Sequence, residues 1–227
     1  MPRLLTGLLL WALVSQCLAT MQVDRAIVHF PAGQPPRQDV VIRNPDDTPL
    51  FVDVRILTVT HAGTAQEKRE LVKDPNAVSL IATPRRVMVP PGGLRRVRLV
   101  NLGGNGKSER VYRVDLKPVS GSEHLDKTGI RIMIGYQLLV FIDPQTPEDK
   151  LTSQRDGRTL TITNQGNENV VLHNGKQCPS SPSTQDCRDV EGKRLYPGNS
   201  LKLDLPFDTP VEFSVSSAEH TRRQRFP

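Results

Sequence analysis

The chain has 227 residues, of which 24% are charged and only 4% are aromatic, and its formal net charge is +6 at pH 7. Although this balance is basic, the cations are scattered and aromatic residues are few, which argues against a nucleic-acid-binding protein. The length allows one large or two small domains.

An apolar segment with a positively charged start, MPRLLTGLLLWALVSQCLAT, opens the chain. One arginine, an apolar run and small residues up to Ala19 are typical of a secretory signal peptide. We therefore predict that residues 1–19 are cleaved and that the protein is exported. The alternative is a membrane anchor, but the run is short for a span of about 20 apolar residues.

Seven β-strands are predicted in the next part of the chain, where short apolar or alternating runs are bounded by Pro, Gly and Asn-Pro. Their ranges are 22–30, 38–44, 50–60, 79–89, 94–101, 109–118 and 129–143. Within the fourth run, Thr83 and Pro84 predict a bend or a change of sheet. Seven strands in about 120 residues are typical of an immunoglobulin-like β-sandwich.

The last of these strands, GIRIMIGYQLLVFIDP at 129–144, is long and is apolar on both faces. The side chains that alternate on one face are Ile130, Ile132, Ile134, Tyr136 and Leu138. A strand edge with alternating apolar side chains can pair with a partner's strand and insert those side chains into its pockets. The alternative is a central strand buried on both faces within its own domain.

A linker or sharp corner is predicted at DPQTPEDK, residues 143–150, because prolines and acids interrupt the strand pattern there. The short strands TLTITN, NVVLHN, KRLYPGNSLKLDL and VEFSVSS follow, and they predict a smaller sandwich over 149–220. Cys178 and Cys187 form an even pair in an exported protein and predict a disulfide rather than two free thiols. The terminal TRRQRF is expected to be a solvated tail.

No catalytic or metal-binding motif is recognisable. The five histidines are dispersed along the chain, and there is no P-loop, nucleophile elbow, H-E-x-x-H or Cys-x-x-Cys. We therefore expect a non-enzymatic protein without a metal or other cofactor. A secreted adhesive or structural binding module is one candidate function, and a glycan-binding version of it would need a cluster of exposed aromatic rings.

Three segments, in their order and spacing, resemble the periplasmic chaperones of the chaperone–usher pilus pathway. They are ATPRRVMVPPGGLRRVRLV at 82–100, ERVYRVDLKPV at 109–119 and LLVFIDP at 138–144. The cysteine loop followed by LYPGNS is similar to the alternative class, which serves colonisation-factor and common-pilus type fimbriae.

The resemblance implies a periplasmic protein with two immunoglobulin-like domains in a boomerang, over residues 20–144 and 149–220. In this family the chaperone lends its long strand to a pilus subunit that lacks its own last strand, and then delivers the subunit to an outer-membrane usher. The lent strand would be 129–143. Its donated side chains would be Ile130, Ile132 and Ile134, with Tyr136 and Leu138 beyond. In the free protein, so apolar a strand favours capping by a second copy.

The resemblance also implies a basic anchor for the subunit's C-terminal carboxylate. The family's two anchor positions fall on Ile27 and Leu139 here, and neither residue is basic. The alternative class carries an arginine at the position of Arg113, and a guanidinium can bind a carboxylate bidentately. We expect the anchor at Arg113 first, at Arg25 second and at Arg98 third.

Each arginine also has a simpler structural interpretation. Arg113 could pair with Asp115 or Glu109 on the sheet, Arg25 could pair with Asp24, and Arg98 could lie on the outer face of its sheet. The family's ion pair between the glutamate at 109 and an arginine is predicted to be absent, because Asp143 occupies the arginine position.

Overall fold

The computed structural model describes residues 21–72, 79–119, 133–180, 186–218 and 220–227, and these ranges form eighteen β-strands. Alternating or continuously apolar runs produce these strands because their side chains are buried on one or both faces of a sheet. The all-β prediction with two sandwich domains is confirmed. Within the described ranges, no helix has the length and apolarity needed to cross a membrane.

The first domain contains ten strands in two sheets. They are β1 (Gln22–Val23), β2 (Ile27–Phe30), β3 (Arg37–Arg43), β4 (Leu50–Thr60), β5 (Lys68–Leu71), β6 (Leu80–Thr83), β7 (Arg86–Val89), β8 (Leu94–Asn101), β9 (Arg110–Val119) and β10 (Tyr136–Ile142). One sheet has the order β1-β3-β8-β6, and the other has the order β2-β10-β9-β4-β5 with β7 also paired to β4.

Two predicted strands are each divided between the two sheets. The run 22–30 gives β1 and β2, and the run 79–89 gives β6 and β7. The second division falls at Pro84, where a bend or change of sheet was predicted. Where the chain passes from one sheet to the other, one stretch contributes apolar side chains from both sheets to the core between them. That core includes Val28, Leu80 and Val89.

The last predicted strand of the first domain, 129–143, is shorter in the structure. Residues 133–135 are not in a strand, β10 begins at Tyr136, and residues 129–132 lie outside the described ranges. β10 occupies the interior of its sheet, between the parallel β2 and the antiparallel β9.

The second domain contains eight strands in two sheets with a separate core. They are β11 (Leu151–Asp156), β12 (Thr159–Asn164), β13 (Val170–Gln177), β14 (Arg188–Val190), β15 (Arg194–Leu195), β16 (Ser200–Asp204), β17 (Val211–Ser216) and β18 (Thr221–Phe226). The sheet orders are β11-β12-β16 and β14-β13-β17-β18, with β15 also paired to β13. The core contains Leu160, Phe213 and Phe226, among others.

The C-terminal segment TRRQRF differs from its prediction. It forms the edge strand β18, paired antiparallel to β17 along its whole length, and Phe226 is only 2% exposed. The prediction of a solvated tail was wrong, and the second domain extends past residue 220. The arginines that suggested a tail lie on an edge strand, where charged side chains discourage pairing with other chains.

The predicted disulfide between Cys178 and Cys187 is present, and it closes a loop next to the second-domain core. Its two cysteines are separated by nine positions in sequence, and Thr209 Oγ1 donates a hydrogen bond to the Cys178 carbonyl. The disulfide therefore closes the connection between β13 and β14, and the Thr209 hydrogen bond joins Cys178 to the segment before β17.

Replacing both cysteines by serine should destabilise the second domain by roughly 2–3 kcal/mol, because a short covalent loop is released in the unfolded chain. Urea unfolding monitored by hydrogen exchange would resolve the two domains. The first domain, whose described residues contain no cysteine, is the internal control. An equal loss of protection in both domains would contradict the expectation.

Candidate functional site

One edge of β10 is open over its first three residues. On one side, β9 pairs with all of β10, from Tyr136 opposite Leu116 to Ile142 opposite Arg110. On the other side, β2 pairs only with Leu139–Ile142. Among the described residues no strand borders Tyr136–Leu138 on that side, and we call this stretch the open edge.

The two faces of β10 explain its apolar composition. Leu138, Val140 and Ile142 point into the first-domain core and are at most 1% exposed. Leu139 and Phe141 point the other way, into a small cluster with Tyr196 of the second domain. The strand is therefore apolar on both faces because it contributes to the core of its own domain and also to the contact between domains.

The structure places the five predicted donor residues in different surroundings. Ile134, just before the open edge, is 52% exposed. Tyr136 is half-buried, and its hydroxyl donates a hydrogen bond to the Met21 carbonyl at 3.0 Å. Leu138 is 1% exposed, so the prediction that it is available to a partner was wrong. Ile130 and Ile132 lie outside the described residues.

A cleft separates the two domains on the outer face of β9 and β10. The Glu109 amide donates a hydrogen bond to the Asn167 carbonyl at 2.9 Å, and Asn199 Nδ2 donates one to the Ala62 carbonyl at 2.8 Å. A cavity of about 450 Å³ opens there, and residues of both domains line it, among them Thr58 and Tyr196. These contacts hold the second domain against one end of β9.

Arg113 lies in the middle of β9, on the face that borders the cleft. Its register partners are Leu57 on β4 and Leu139 on β10, so it stands between two apolar residues. The residue is half-buried, and its Nε is buried without a hydrogen-bond partner. Within the described part of the chain, neither Asp115 nor Glu109 forms an ion pair with it. A half-buried guanidinium without a carboxylate partner is suited to bind an external anion.

The other two anchor candidates already have partners. Arg25 is exposed and pairs with Asp24 at 2.9 Å. Arg98 lies on the outer face of the opposite sheet, where its Nε and Nη2 bind the two oxygens of Asp39 at 2.7 and 2.9 Å. Hydrogen bonds from Arg98 hold the pKa of Asp39 below its ordinary value. Both positions fit the simpler interpretation that the sequence allowed for these two arginines.

Arg194 is a cleft residue that the sequence prediction missed. It lies on β15 of the second domain, and its Cζ is 5.1 Å from the centroid of the Phe141 ring. Its Nη1 donates a hydrogen bond to Asn169 Oδ1. Burial lowers the pKa of Arg194, and the positive charge of Arg113 lowers it further. No local motif in the sequence marks this residue, because only the packing of the second domain brings it to β10.

Glu109 and Asp143, which occupy the two positions of the family's ion pair, lie near the contact between the domains. Glu109 Oε2 accepts hydrogen bonds from the Asn169 amide at 3.1 Å and from Asn169 Nδ2 at 2.5 Å. Asp143 is 3% exposed and bonds to His29 Nδ1 at 3.0 Å. Burial raises the pKa of Glu109 to about 7; the charge of Asp143 adds to this rise, whereas the Asn169 hydrogen bonds and His29 oppose it.

Comparison with known families and curated proteins finds clear relatives. A model for the pili and flagellar-assembly chaperone, PapD N-terminal domain, matches residues 20–148. Among curated proteins, a CS1 fimbrial protein of Escherichia coli is 32% identical over 173 residues, covering 71% of this chain and 68% of that protein. A CFA/I fimbrial protein of Escherichia coli is 27% identical over 175 residues, covering 73% of this chain and 70% of that protein. Both relatives are named as fimbrial subunits.

Solved structures show the same fold over most of the chain. The class 5 fimbriae chaperone CfaA superposes with a TM-score of 0.70 at 20% identity, covering 91% of this chain and 99% of CfaA. The Salmonella enterica SafB chaperone, solved in complex with the SafA pilin, gives 0.64 at 15% identity, covering 92% and 97%.

The different surroundings of Leu138 and Ile134 predict different effects on stability. Leu138→Ala should lower the free energy of unfolding by about 2–5 kcal/mol, because it leaves a cavity in the first-domain core. Ile134→Ala should change it by less than about 0.5 kcal/mol, because the side chain is half exposed and lies outside the core. Urea unfolding measures both. Equal effects would contradict the assigned faces.

The raised pKa of Glu109 predicts that the protein loses stability as pH rises. The folded state binds the Glu109 carboxyl proton more tightly than the unfolded state does. The resulting stabilisation is fully present below about pH 4.5 and is lost as the pH rises from there past about 7. The total loss is about 3 kcal/mol. Glu109→Gln should be the more stable protein at pH 8 and nearly equal at pH 4. Urea unfolding at both pH values tests this, and parallel pH profiles for the two proteins would refute it.

Proposed function

The chain belongs to the pili and flagellar-assembly chaperone family, and we propose that it binds pilus subunits by lending them a β-strand and delivers them to an outer-membrane usher. This family consists of non-enzymatic chaperones. Those of the chaperone–usher pathway work in the periplasm. We propose that residues 1–19 direct this chain there and are then removed, and that residues 20–144 and those from 149 onward form its two domains.

The single observation that supports strand lending is the open edge of β10. An edge with unpaired N–H and C=O groups is a template for another strand. Here β2 stops pairing at Leu139, so the open edge Tyr136–Leu138 is available to such a strand. The protein's own core is complete on the β9 side, so a guest strand need not displace any described strand of the first domain.

The side chains before the open edge would supply apolar contact. Ile134 is 52% exposed, and the sequence places Ile132 and Ile130 two and four positions earlier on the same strand face. Burying an isoleucine side chain contributes about 1.5–3 kcal/mol. Loss of translational and rotational freedom on association opposes that gain. Binding is therefore strong, and a strand that fits better can still displace the bound one. Tyr136 marks the end of this donor stretch, because its hydroxyl is already bound to Met21.

Arg113 is the proposed anchor for the C-terminal carboxylate of the pilus subunit. It borders the cleft and lies directly opposite Leu139, where the open edge ends. A strand that pairs with the open edge and runs toward Leu139 would end one strand away from Arg113, and the guanidinium would reach its terminus across the outer face of β10. Arg25 and Arg98 are bound to Asp24 and Asp39, which leaves Arg113 as the first candidate.

Glycan binding by an adhesive module is less well supported. That function needs exposed aromatic rings, and Tyr112 and Tyr196 are only 6% and 7% exposed. Tyr136, the third tyrosine of the chain, is half-buried with its hydroxyl bonded. The tyrosines therefore form no exposed platform.

Ile134→Asp should weaken the binding of a pilus subunit about ten- to a hundredfold, because it places a charge in the apolar contact. Ile132→Asp, chosen from the sequence pattern, should act in the same direction. The measurement is co-purification of a co-expressed pilus subunit, followed by titration of the purified proteins. Leu102→Asp is a matched control, since Leu102 is 60% exposed and lies in the loop after β8. Unchanged binding by both isoleucine variants would refute strand lending.

A further inference from the structure

The sheet β1-β3-β8-β6 carries cations and aliphatic side chains on the face that points away from the first-domain core. Along β3 and β8, alternate residues point inward and are fully buried, namely Val40, Ile42, Val97 and Leu99. The residues between them point outward, and we call them the arginine face: Arg37, Asp39, Val41 and Arg43 on β3, with Leu94, Arg96, Arg98 and Val100 on β8. We propose that the arginine face docks the protein on a membrane of anionic phospholipids.

The arginine face has more positive charge than its own acid neutralises. Asp39 is bound by Arg98 Nε and Nη2 at 2.7 and 2.9 Å. Besides these hydrogen bonds, the charges of Arg96 and Arg37 also lower the pKa of Asp39. Within the described ranges, Arg37, Arg43 and Arg96 have no carboxylate at ion-pair distance. Four arginines against one aspartate leave three positive charges on this face.

Two other sheet faces differ, because their arginines have acids beside them. On β17 and β18, Arg225 lies opposite Glu212, and Arg223 Nη1 is 3.5 Å from Glu212 Oε1. In the sheet that contains β10, Arg86 Nε is 3.1 Å from Asp53 Oδ1. An excess of one sign on a single face creates a local potential that attracts a partner of the opposite sign. The arginine face is therefore suited to an anionic partner.

The aliphatic side chains of the arginine face favour a lipid surface over an acidic polypeptide. Three of the four cross-strand pairs on this face combine an arginine with an aliphatic residue: Arg43 with Leu94, Arg96 with Val41, and Arg37 with Val100. Leu94 is 42% exposed. An acidic polypeptide would be bound by the cations alone. The boundary of a membrane offers phosphates to the guanidiniums and apolar chains to the aliphatic groups beneath them.

The shape of the arginine face also matches a membrane surface. Side chains stand roughly perpendicular to a sheet, so the guanidiniums of β3 and β8 project to the same side. Each can bind the oxygens of a phosphate bidentately. The open edge belongs to the other sheet, on the far side of the first-domain core. A docked chain would therefore keep its open edge in solvent, and the proposal goes beyond strand lending without resting on it.

The test is sedimentation of residues 20–227 with phosphatidylcholine vesicles that contain or lack phosphatidylglycerol. Only the anionic vesicles should bind the protein, and salt of about 1 M, where the Debye length is about 3 Å, should release it. The double variant Arg43→Gln/Arg96→Gln should bind roughly twenty- to thirtyfold more weakly, because each arginine near an anionic surface contributes about fivefold. The matched control Arg223→Gln/Arg225→Gln removes the same charge from β18 and should stay within about twofold of the parent.

Two further variants separate a lipid surface from other anions and from a folding defect. Leu94→Asn should weaken vesicle binding about threefold, because it removes aliphatic contact, and should leave binding to polyglutamate unchanged. Arg43→Lys/Arg96→Lys keeps both charges and should bind vesicles within about threefold of the parent. This lysine variant keeps the test decisive if the glutamine variant is poorly folded.

A fluorescent label reports which face meets the lipid. A label at Gln22→Cys, an exposed position opposite Arg43, should shift its emission to shorter wavelength on anionic vesicles. A label at Gln154→Cys, exposed on β11 of the second domain, should not.

The proposal has three contrary outcomes. Equal binding to neutral and anionic vesicles would overturn it. Equal losses in the double glutamine variant and its β18 control would show that net charge alone matters, and would also overturn it. Tight binding to polyglutamate without binding to anionic vesicles would assign the arginine face to an acidic polypeptide instead of a membrane.

Discussion

The site depends on the point at which β2 stops pairing with β10. β2 pairs with β10 only along Leu139–Ile142. The C-terminal part of β10 is therefore an interior strand, whereas its first three residues form an edge. The closed part contributes Val140 and Ile142 to the core and Phe141 to the contact with the second domain. That burial holds the open part in position against β9. If β2 continued further along β10, the edge would be covered and no guest strand could pair there.

Much of the fold follows from periodicity and punctuation, and the main errors have a physical cause. β4 and β8 have the predicted bounds, because both are regular alternating runs ended by turns. The assignment of Leu138 failed because alternation only divides residues into two sets; when both sets are apolar, tertiary packing decides which faces the core. β18 looked like a tail because an edge strand carrying arginines has the composition of a solvated segment.

The cleft residues show a different limit of prediction. Arg113 was nominated through the family resemblance, and its position in β9 is set by local sequence. Arg194 lies more than fifty positions from Phe141 in sequence, so only the docking of the second domain brings their side chains together. Glu109 is similar: the resemblance indicates that its arginine partner is lost, but its raised pKa arises from burial and from the nearby charge of Asp143. Charge pairs across a domain boundary depend on packing geometry that no local pattern encodes.

The proposed anchor and the open edge would act together because they lie on neighbouring residues of one strand pair, β9 and β10. A guest strand on the open edge can slide along β10, and a shift of one residue would turn its apolar side chains to the wrong face. Arg113, the proposed anchor, lies on β9 opposite Leu139, where the edge ends, so a carboxylate bound to it would fix the end of the guest strand. The edge offers hydrogen bonds that any sequence can make, whereas the proposed anchor would select one register. Selectivity for a chain terminus therefore requires no extensive side-chain recognition, which suits a protein that must release its guest to a better-fitting strand.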